Sequence, residues 1–159
     1  MLPGVRILTL QTDKNGAMWI GTDAGAVRYS GGEFSKVNET SGQTITAIAS
    51  DPSGSVYMSS DQGRLYQTKT GSGSARELLN QPLESSDRDH PGKLPITSLN
   101  VSNGRIFIGT LSRGVLEVAN GAVRESQMKP VAFFVNVLER DREGKLWIGA
   151  RARKEDPGL

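Results

Sequence analysis

The strongest constraint on the fold is a short unit that recurs four times along the 159 residues. Its copies cover residues 7–22, 45–60, 96–110 and 135–150. In three copies an Asp stands three residues before a Gly, and an aromatic residue stands three residues after that Gly. The third copy has lost the Asp and carries Asn103-Gly104, a strong signal for a two-residue hairpin. A unit repeated in this way predicts an array of similar modules.

The aromatic positions of the repeat set its period. They are Trp19, Tyr57, Phe107 and Trp147, and they lie 38, 50 and 40 residues apart. Further strand-like runs follow each of the first three copies, which gives these copies four strands each, whereas the last copy has two. A period near 40 residues with four strands per copy is typical of β-propeller blades. We therefore expect an all-β fold, an open β-propeller fragment of about three and a half four-stranded blades.

The strand pattern also predicts where the blades begin and end. We expect the whole chain, residues 1–159, to be one partial propeller domain. Its blades should cover approximately residues 5–40, 44–80 and 95–126, with a partial blade at 134–150. Residues 71–94 are rich in Gly, Ser, Asp and Pro, so we expect a polar surface excursion between two blades, with Ala75 to Leu79 as a weaker outer strand. Residues 151–159 lack a strand pattern and are expected to form a tail.

The residue types in the repeat have a packing explanation. The Asp can accept hydrogen bonds from nearby backbone N–H groups, and the Gly can take a positive φ at little cost. Each key aromatic residue is followed by a bulky apolar residue, as in Trp19-Ile20, so the strand is apolar on both faces and needs cover on both. Radially stacked blades supply that cover. Gly21, Gly109 and Gly149 are expected to allow close approach near the axis.

Composition argues against several classes of partner. The net charge is +2, and acidic and basic residues are interspersed, so we expect no nucleic-acid binding and no direct membrane insertion. No apolar run approaches the length of a membrane span, and no signal peptide is recognised. The absence of Cys excludes thiolate metal sites. We expect no cofactor and no metal.

No catalytic constellation stands out in the sequence. The single histidine, His90, lies in the polar excursion and is interpreted as a solvated loop residue rather than a catalytic base. A metal site formed by Asp87, Asp89 and His90 is equally weakly supported. The basic tail residues Arg151, Arg153 and Lys154 are interpreted as a solvated end rather than as a polyanion site. We therefore expect no enzyme activity, with a secreted propeller lyase or hydrolase as the alternative.

With these residues in hand, the chain resembles the two-component regulator propeller repeat. The match runs from Thr12 through Tyr29 and from Arg140 to Gly149, whereas the second copy departs at residues 57–60 and the third at its shortened turn. The resemblance implies a periplasmic or cell-surface propeller that precedes a membrane helix and a kinase or regulator module. It also implies the remaining blades of the same propeller, a second propeller or a homodimer as partners.

Binding is the function that the resemblance favours for this segment. In propellers, the loops that join second to third strands, and those that join a fourth strand to the next first strand, commonly share the rim that faces the ligand, and here the excursion at residues 71–94 belongs to the second kind. The candidate binding residues in these loops are Asp23, Asp61, Gln62, Ser112 and Arg113. The expected function is extracytoplasmic ligand sensing by a two-component regulator, with an oligosaccharide as the plausible ligand. A propeller that serves only as a protein-binding scaffold is the other alternative.

Overall fold

The computed structural model describes residues 6–85, 91–126 and 134–151, and most of them lie in β-strands. Blade 1 contains β1 (Ile7–Thr12), β2 (Met18–Thr22), β3 (Gly25–Ser30) and β4 (Glu33–Val37). Blade 2 contains β5 (Ile45–Ser50), β6 (Ser55–Ser60), β7 (Leu65–Lys69) and β8 (Arg76–Glu77). Blade 3 contains β9 (Ile96–Ser102), β10 (Arg105–Thr110), β11 (Val115–Ala119) and β12 (Ala122–Glu125). The described part of blade 4 contains β13 (Phe134–Arg140) and β14 (Leu146–Arg151). A 3₁₀ turn at Asn38–Thr40 follows β4.

Each blade is an antiparallel meander in which strands adjacent in sequence are neighbours in the sheet. The first strands of successive blades, β1, β5, β9 and β13, contact one another in that order and form the inner side of the arc. The predicted all-β propeller fragment, with three four-stranded blades and a further two-stranded one, is therefore confirmed. Arg151, which was expected to begin the tail, is instead the last residue of β14 and pairs with Phe134.

The hairpin turns have the geometry that the repeat predicts. Asp13 Oδ1 accepts hydrogen bonds from the backbone N–H groups of Asn15 at 2.9 Å and Ala17 at 3.1 Å. The Gly that closes this turn, Gly16, has a φ of 79°. In the shortened third copy, Asn103 and Gly104 have φ angles of 51° and 73°, as a type I′ turn requires at both central residues. Two different turns thus connect the same pair of strands.

Packing between blades follows the two faces of the second strand. We call the side that carries Trp19, Tyr57, Phe107 or Trp147 the aromatic face of its blade, and the opposite side the aliphatic face. Trp19 is fully buried against the aliphatic face of blade 2, where it clusters with Ile48, Val56 and Met58. Tyr57 and Phe107 are covered in the same way by blades 3 and 4. Each aromatic face therefore packs on the next blade along the chain.

Two of the repeated glycines make room for the next blade. A Cβ placed on Gly109 would lie 2.6 Å from Val135 Cγ1, and one placed on Gly21 would lie 2.8 Å from Ile45 Cγ2. Val135 and Ile45 both belong to the inner strand of the following blade. Side chains of the same blade are close as well, since Thr9 Cγ2 would lie 2.5 Å from a Cβ at Gly21 and Val137 Cγ1 2.5 Å from one at Gly149. Gly21 and Gly109 therefore allow the close approach that the sequence predicted.

The excursion between blades 2 and 3 is more ordered than its composition suggested. Leu79, Leu83 and Leu94 are buried in the same apolar cluster as Tyr57, and β8 lies within the segment. The backbone is also paired, because Leu83 N–H donates to Gly63 O and Leu94 N–H donates to Leu83 O, both at 2.9 Å. The expectation of a polar surface loop therefore has to be corrected for these leucines, which fill space between the blades.

Candidate functional site

The rim is defined here as the edge of the arc that carries the β2–β3, β6–β7 and β10–β11 hairpins. All five predicted binding residues lie on it: Asp23, Asp61, Gln62, Ser112 and Arg113. Because the blades are antiparallel meanders, the connections from one blade to the next reach this same edge. The rim is therefore built by both kinds of loop.

A buried hydroxyl shapes each rim hairpin. Thr22, Ser60 and Thr110 occupy the same position in three blades, and all are fully buried. Thr110 Oγ1 donates to Gly114 O at 2.8 Å and accepts from Arg113 N–H at 3.0 Å, while Ser60 Oγ accepts from Gln62 N–H at 3.2 Å. Such hydroxyl-to-backbone bonds fix a tight turn. This role was not predicted. The signal for it is a Thr or Ser that directly follows Gly21, Ser59 and Gly109 in the three copies.

Two of the predicted rim residues already have charged partners. Asp23 Oδ2 lies 3.3 Å from Arg6 Nε, and Arg113 Nη2 lies 2.6 Å from Glu125 Oε1. Their charges are partly neutralised within the chain, and a ligand would have to compete with these pairs. Asp23 and Arg113 are therefore weaker candidates than the sequence alone suggested.

Asp61 has a different environment. Its backbone N–H donates to Thr44 O at 3.2 Å, which ties the hairpin of blade 2 to the incoming connection from blade 1. Its side-chain Oδ1 is buried and has no hydrogen-bond partner among the described residues. A buried acceptor without a donor costs free energy. The residue as a whole is only half-buried, so a rotation of its side chain would bring Oδ1 to a ligand donor and remove that cost; Asp61 is therefore the strongest candidate contact on the rim.

The excursion forms one wall beside Asp61 and Gln62. A Cβ on the neighbouring Gly63 would lie 2.7 Å from Leu83 O, so the two backbones are in close contact there. Further along the rim, Ser85 Oγ lies 3.4 Å from Ser112 Oγ of blade 3. The excursion therefore connects the predicted rim residues of blades 2 and 3. His90, Asp87 and Asp89, on which the catalytic and metal alternatives depend, lie outside the described residues, as do Arg153 and Lys154.

A groove lies between blades 2 and 3 on the edge opposite the rim, where the β9–β10 and β11–β12 hairpins turn. This groove has a volume of about 540 Å³, and Tyr57, Gln67, Arg76, Asn80 and Asn120 are among its lining residues. Gln67 connects two other lining residues of the groove: its Nε2 donates to Tyr57 Oη at 3.1 Å, and its Oε1 accepts from Arg76 Nη2 at 2.7 Å. Sequence reasoning missed the groove because its residues come from strands that are far apart in sequence.

The repeated aspartates serve the fold rather than chemistry. Trp19 Nε1 donates to Asp13 Oδ2 at 2.8 Å, Trp147 Nε1 donates to Asp141 Oδ2 at 2.7 Å, and Tyr57 Oη donates to Asp51 Oδ2 at 3.3 Å. At Asp141, the indole hydrogen bond is the main cause of a pKa below the usual value of 3.8. All three carboxylates are thereby held in the ionised form and engaged by local donors. Their shifted pKa values indicate turn structure and not an acid–base site.

In residues 6–85, 91–126 and 134–151, no group of three or more His, Cys, Asp or Glu side chains could hold a metal ion. None of the helical structure in those ranges is long and apolar enough to cross a membrane.

Comparison with known families supports the repeat that the sequence predicted. The two component regulator propeller family matches residues 1–24, which include the first copy of the repeat. This match confirms the resemblance for the first copy of the repeat. A search of curated protein sequences finds no match.

Solved structures support the fold. The extracellular domain of the hybrid two component system BT4673 from B. thetaiotaomicron aligns with a TM-score of 0.72 at 18% identity, over 94% of this chain and 21% of that one. The WD40 β-propeller domain of Doa1 aligns with a TM-score of 0.67 at 12% identity, over 91% of this chain and 47% of the other. The computationally designed protein Ika4 aligns at 0.63 and 16% identity, over 91% of both chains. The chain thus spans about a fifth of the length of the two-component relative.

Proposed function

Starting from a chain whose first repeat copy matches the two component regulator propeller, we propose that it is a ligand-binding segment of an extracytoplasmic sensor. The domain would stand in the periplasm or at the cell surface and report ligand occupancy to a signalling module elsewhere in the protein. Support comes from the family match over residues 1–24 and from the fold shared with an extracellular two-component domain. Since fold alone does not establish function, the binding role has to be argued from the site.

The observation that carries the proposal is the unpartnered Oδ1 of Asp61 on the rim. Gln62 is the next residue of the same hairpin, and Ser112 stands in the rim hairpin of blade 3, where its Oγ lies 3.4 Å from Ser85 Oγ of the excursion. Asp23 and Arg113 are occupied by Arg6 and Glu125 and contribute less. The ligand contacts are therefore assigned to Asp61, Gln62 and Ser112.

The chemistry of these three groups suggests the ligand class. An ionised carboxylate accepts hydrogen bonds only, whereas an amide and a hydroxyl both donate and accept. A neutral sugar offers several hydroxyl donors to the carboxylate, and it brings no charge that would repel Asp61. An acidic sugar would place a second carboxylate near the first. We therefore propose a neutral oligosaccharide as the ligand.

Substituting Asp61 by Asn is expected to weaken binding of the neutral oligosaccharide about 10–100-fold, because a hydrogen bond to a charged group is worth about 1.5–3 kcal/mol. The substitution keeps the shape of the side chain, and unfolding stability should change little. The measurement is calorimetric titration of the chain with pools of neutral and uronate-containing oligosaccharides, accompanied by thermal-shift assays.

Asp23→Asn is the matched control, since it makes the same change on the neighbouring blade at a carboxylate already paired with Arg6. It should reduce affinity by less than about threefold. Arg76→Ala reports on the groove at the opposite edge and should also leave binding intact. Absence of heat and of any thermal shift with all pools would contradict the proposed function. Loss of binding with Arg76→Ala but not with Asp61→Asn would move the site to the groove.

A further inference from the structure

The groove on the edge opposite the rim lies between blades 2 and 3, each of which has all four of its strands. Its volume is about 540 Å³. Sites for small molecules in proteins typically have about 300–1,000 Å³. Three buried apolar or aromatic side chains form its floor: Tyr57, Ile106 and Val118. An apolar floor with a few convergent polar groups is typical of a ligand site, so the polar groups of the walls decide which ligand fits.

A chain of hydrogen bonds holds Arg76 at the wall formed by blade 2. Tyr57 Oη donates its proton to Asp51 Oδ2 at 3.3 Å and accepts from Gln67 Nε2 at 3.1 Å. These bonds fix the orientation of the Gln67 amide, whose Oε1 is turned toward Arg76. That oxygen accepts from Arg76 Nε at 3.1 Å and from Arg76 Nη2 at 2.7 Å. The guanidinium is therefore held along one edge, although the residue is exposed.

The opposite end of the Arg76 guanidinium is free to bind a ligand. A guanidinium has five N–H donors in one plane, and Gln67 accepts from two of them, which leaves three. These three, two on Nη1 and one on Nη2, have no acceptor among the described residues. Nη1 and Nη2 thus present two parallel N–H groups, the geometry with which arginine binds a carboxylate through two hydrogen bonds.

The charge of Arg76 is not balanced inside the groove. Among the described lining residues, Arg76 and Glu77 are the ones that carry a charge. Successive residues of β8 point to opposite faces, so the Glu77 side chain points away from the groove, where both its oxygens accept from Arg64 Nη1 at 2.9 and 2.7 Å. Along the hydrogen-bond chain, two uncharged side chains separate Asp51 from Arg76. The groove therefore favours an anion.

The wall formed by blade 3 and the excursion adds neutral polar groups. Asn120 and Gly121 form the β11–β12 turn, and a Cβ on Gly121 would lie 3.2 Å from Leu78 O and 3.8 Å from Asn80 Oδ1. The turn and the excursion therefore meet at the groove. Asn80 and Asn120 both line it, and neither side-chain amide is hydrogen-bonded within the described parts of the chain. Because an amide both donates and accepts, these two suit the hydroxyl groups of a ligand.

We propose that this groove binds a small carboxylate that also carries hydroxyl groups, such as a sugar acid. Its carboxylate accepts from Nη1 and Nη2 of Arg76, and its hydroxyls bond to the amides of Asn80 and Asn120. The site differs from the rim in position and in charge, since Asp61 on the rim accepts from a neutral sugar whereas Arg76 selects an anion. The inference therefore goes beyond the proposed function, and either site stands or fails without the other.

The test is an NMR titration of the ¹⁵N-labelled chain with D-glucuronate, which reports on backbone and side-chain amides even when binding is weak. D-glucuronamide is the neutral match, because it has the same ring and hydroxyls without the charge. Sulfate supplies charge without hydroxyls. Arg76→Ala removes the cation, and Arg124→Ala is the matched control: Arg124 pairs with Glu117 in blade 3 as Arg76 pairs with Gln67 in blade 2. Both arginines are exposed, so both variants should remain folded by circular dichroism.

Glucuronate is expected to shift the side-chain amide signals of Asn80 and Asn120 in the wild type and in Arg124→Ala. Affinity should fall at least about tenfold for glucuronamide and for Arg76→Ala, because hydrogen bonds between charged partners are lost. Absence of shifts with glucuronate would overturn the proposal, as would equal affinity for glucuronamide or an unchanged affinity in Arg76→Ala. Equal binding of sulfate would also overturn it, since charge alone would then be recognised. The neutral oligosaccharide of the rim enters no arm of this test, so the two proposals fail separately.

Discussion

Replacing Trp19 by Ala is expected to lower the free energy of unfolding by about 3–5 kcal/mol, the range for truncating a large aromatic side chain in a core. Trp19 is fully buried between blades 1 and 2, and its loss leaves a cavity lined by Ile48, Val56 and Met58. It also removes the donor of the 2.8 Å hydrogen bond to Asp13. Domains are typically stable by about 5–15 kcal/mol, so a large share of the total is at stake. Urea unfolding followed by circular dichroism measures the change.

Trp147→Ala is the matched control for this experiment. It removes the same side chain from the same position of the repeat, and it breaks an equivalent hydrogen bond to Asp141. Because Trp147 is 56% exposed, the single chain should lose less than about 1 kcal/mol. Similar losses for both variants would mean that burial by the next blade is not what stabilises the aromatic residue.

The Asp13→Ala substitution is expected to lower the free energy of unfolding by about 3 kcal/mol. A hydrogen bond to a charged group is worth about 1.5–3 kcal/mol, and the donors that bonded to the carboxylate are left without an acceptor. The side chain is 5% exposed and accepts from the Trp19 indole and from the N–H groups of Asn15 and Ala17. Asp141→Ala removes equivalent bonds in an exposed turn and should cost much less. Denaturant unfolding of the three proteins side by side checks this order, and equal losses would contradict it.

The cost of losing Asp13 should also depend on pH. Burial acts to raise the pKa of Asp13, but the hydrogen bonds from Trp19, Asn15 and Ala17 outweigh it, so the pKa lies below the unfolded value of 3.8. A carboxylate of this kind stabilises the fold above its unfolded pKa, and the contribution is lost as pH falls through the folded pKa. The difference in unfolding free energy between wild type and Asp13→Ala should therefore shrink below about pH 4. A difference that stays constant down to about pH 2 would contradict this account.

Much of the fold can be predicted from the sequence because each copy of the repeat carries a short hairpin turn and the same pattern of apolar residues on both faces of a strand. The Asp-x-x-Gly turn and the Asn103-Gly104 turn each specify a hairpin from a few residues, and the structure has both. Strands that are apolar on both faces require cover on both, which predicts stacked blades. Trp19 and Phe107 follow that prediction, since each is covered by the next blade.

The bond between the turn aspartate and the aromatic residue was missed, although a signal for it exists inside the chain. Asp13 pairs with Trp19 and Asp51 with Tyr57, both of which carry an N–H or O–H donor. The third copy has no Asp, and its aromatic residue is Phe107, which has no donor to offer. The two positions thus change together. Reading the aromatic residue only as a packing group hid this pairing.

The excursion and the charged side chains of the rim could not be predicted to the same depth, because neither recurs from blade to blade. Burial of Leu83 and Leu94 depends on how a single long segment folds back across Gly63, and a composition rich in Gly, Ser and Pro gives no indication of that path. The pairing of Asp23 with Arg6 and of Arg113 with Glu125 likewise depends on tertiary distances. The sequence alone points to the rim loops as the binding region. Only the tertiary structure shows that Asp23 and Arg113 are in ion pairs whereas Asp61 Oδ1 has no partner among the described residues.

The most direct test of the account is the fluorescence of the two tryptophans, which are the only ones in the chain. The central claim is that each aromatic face is covered by the next blade and that blade 4 carries the uncovered one. Single-tryptophan proteins are made with Trp147→Phe and Trp19→Phe, and emission and acrylamide quenching are measured on folded, dilute samples. We expect blue-shifted, protected emission from Trp19 and red-shifted, readily quenched emission from Trp147. Equal emission and equal quenching of the two residues would contradict the claim.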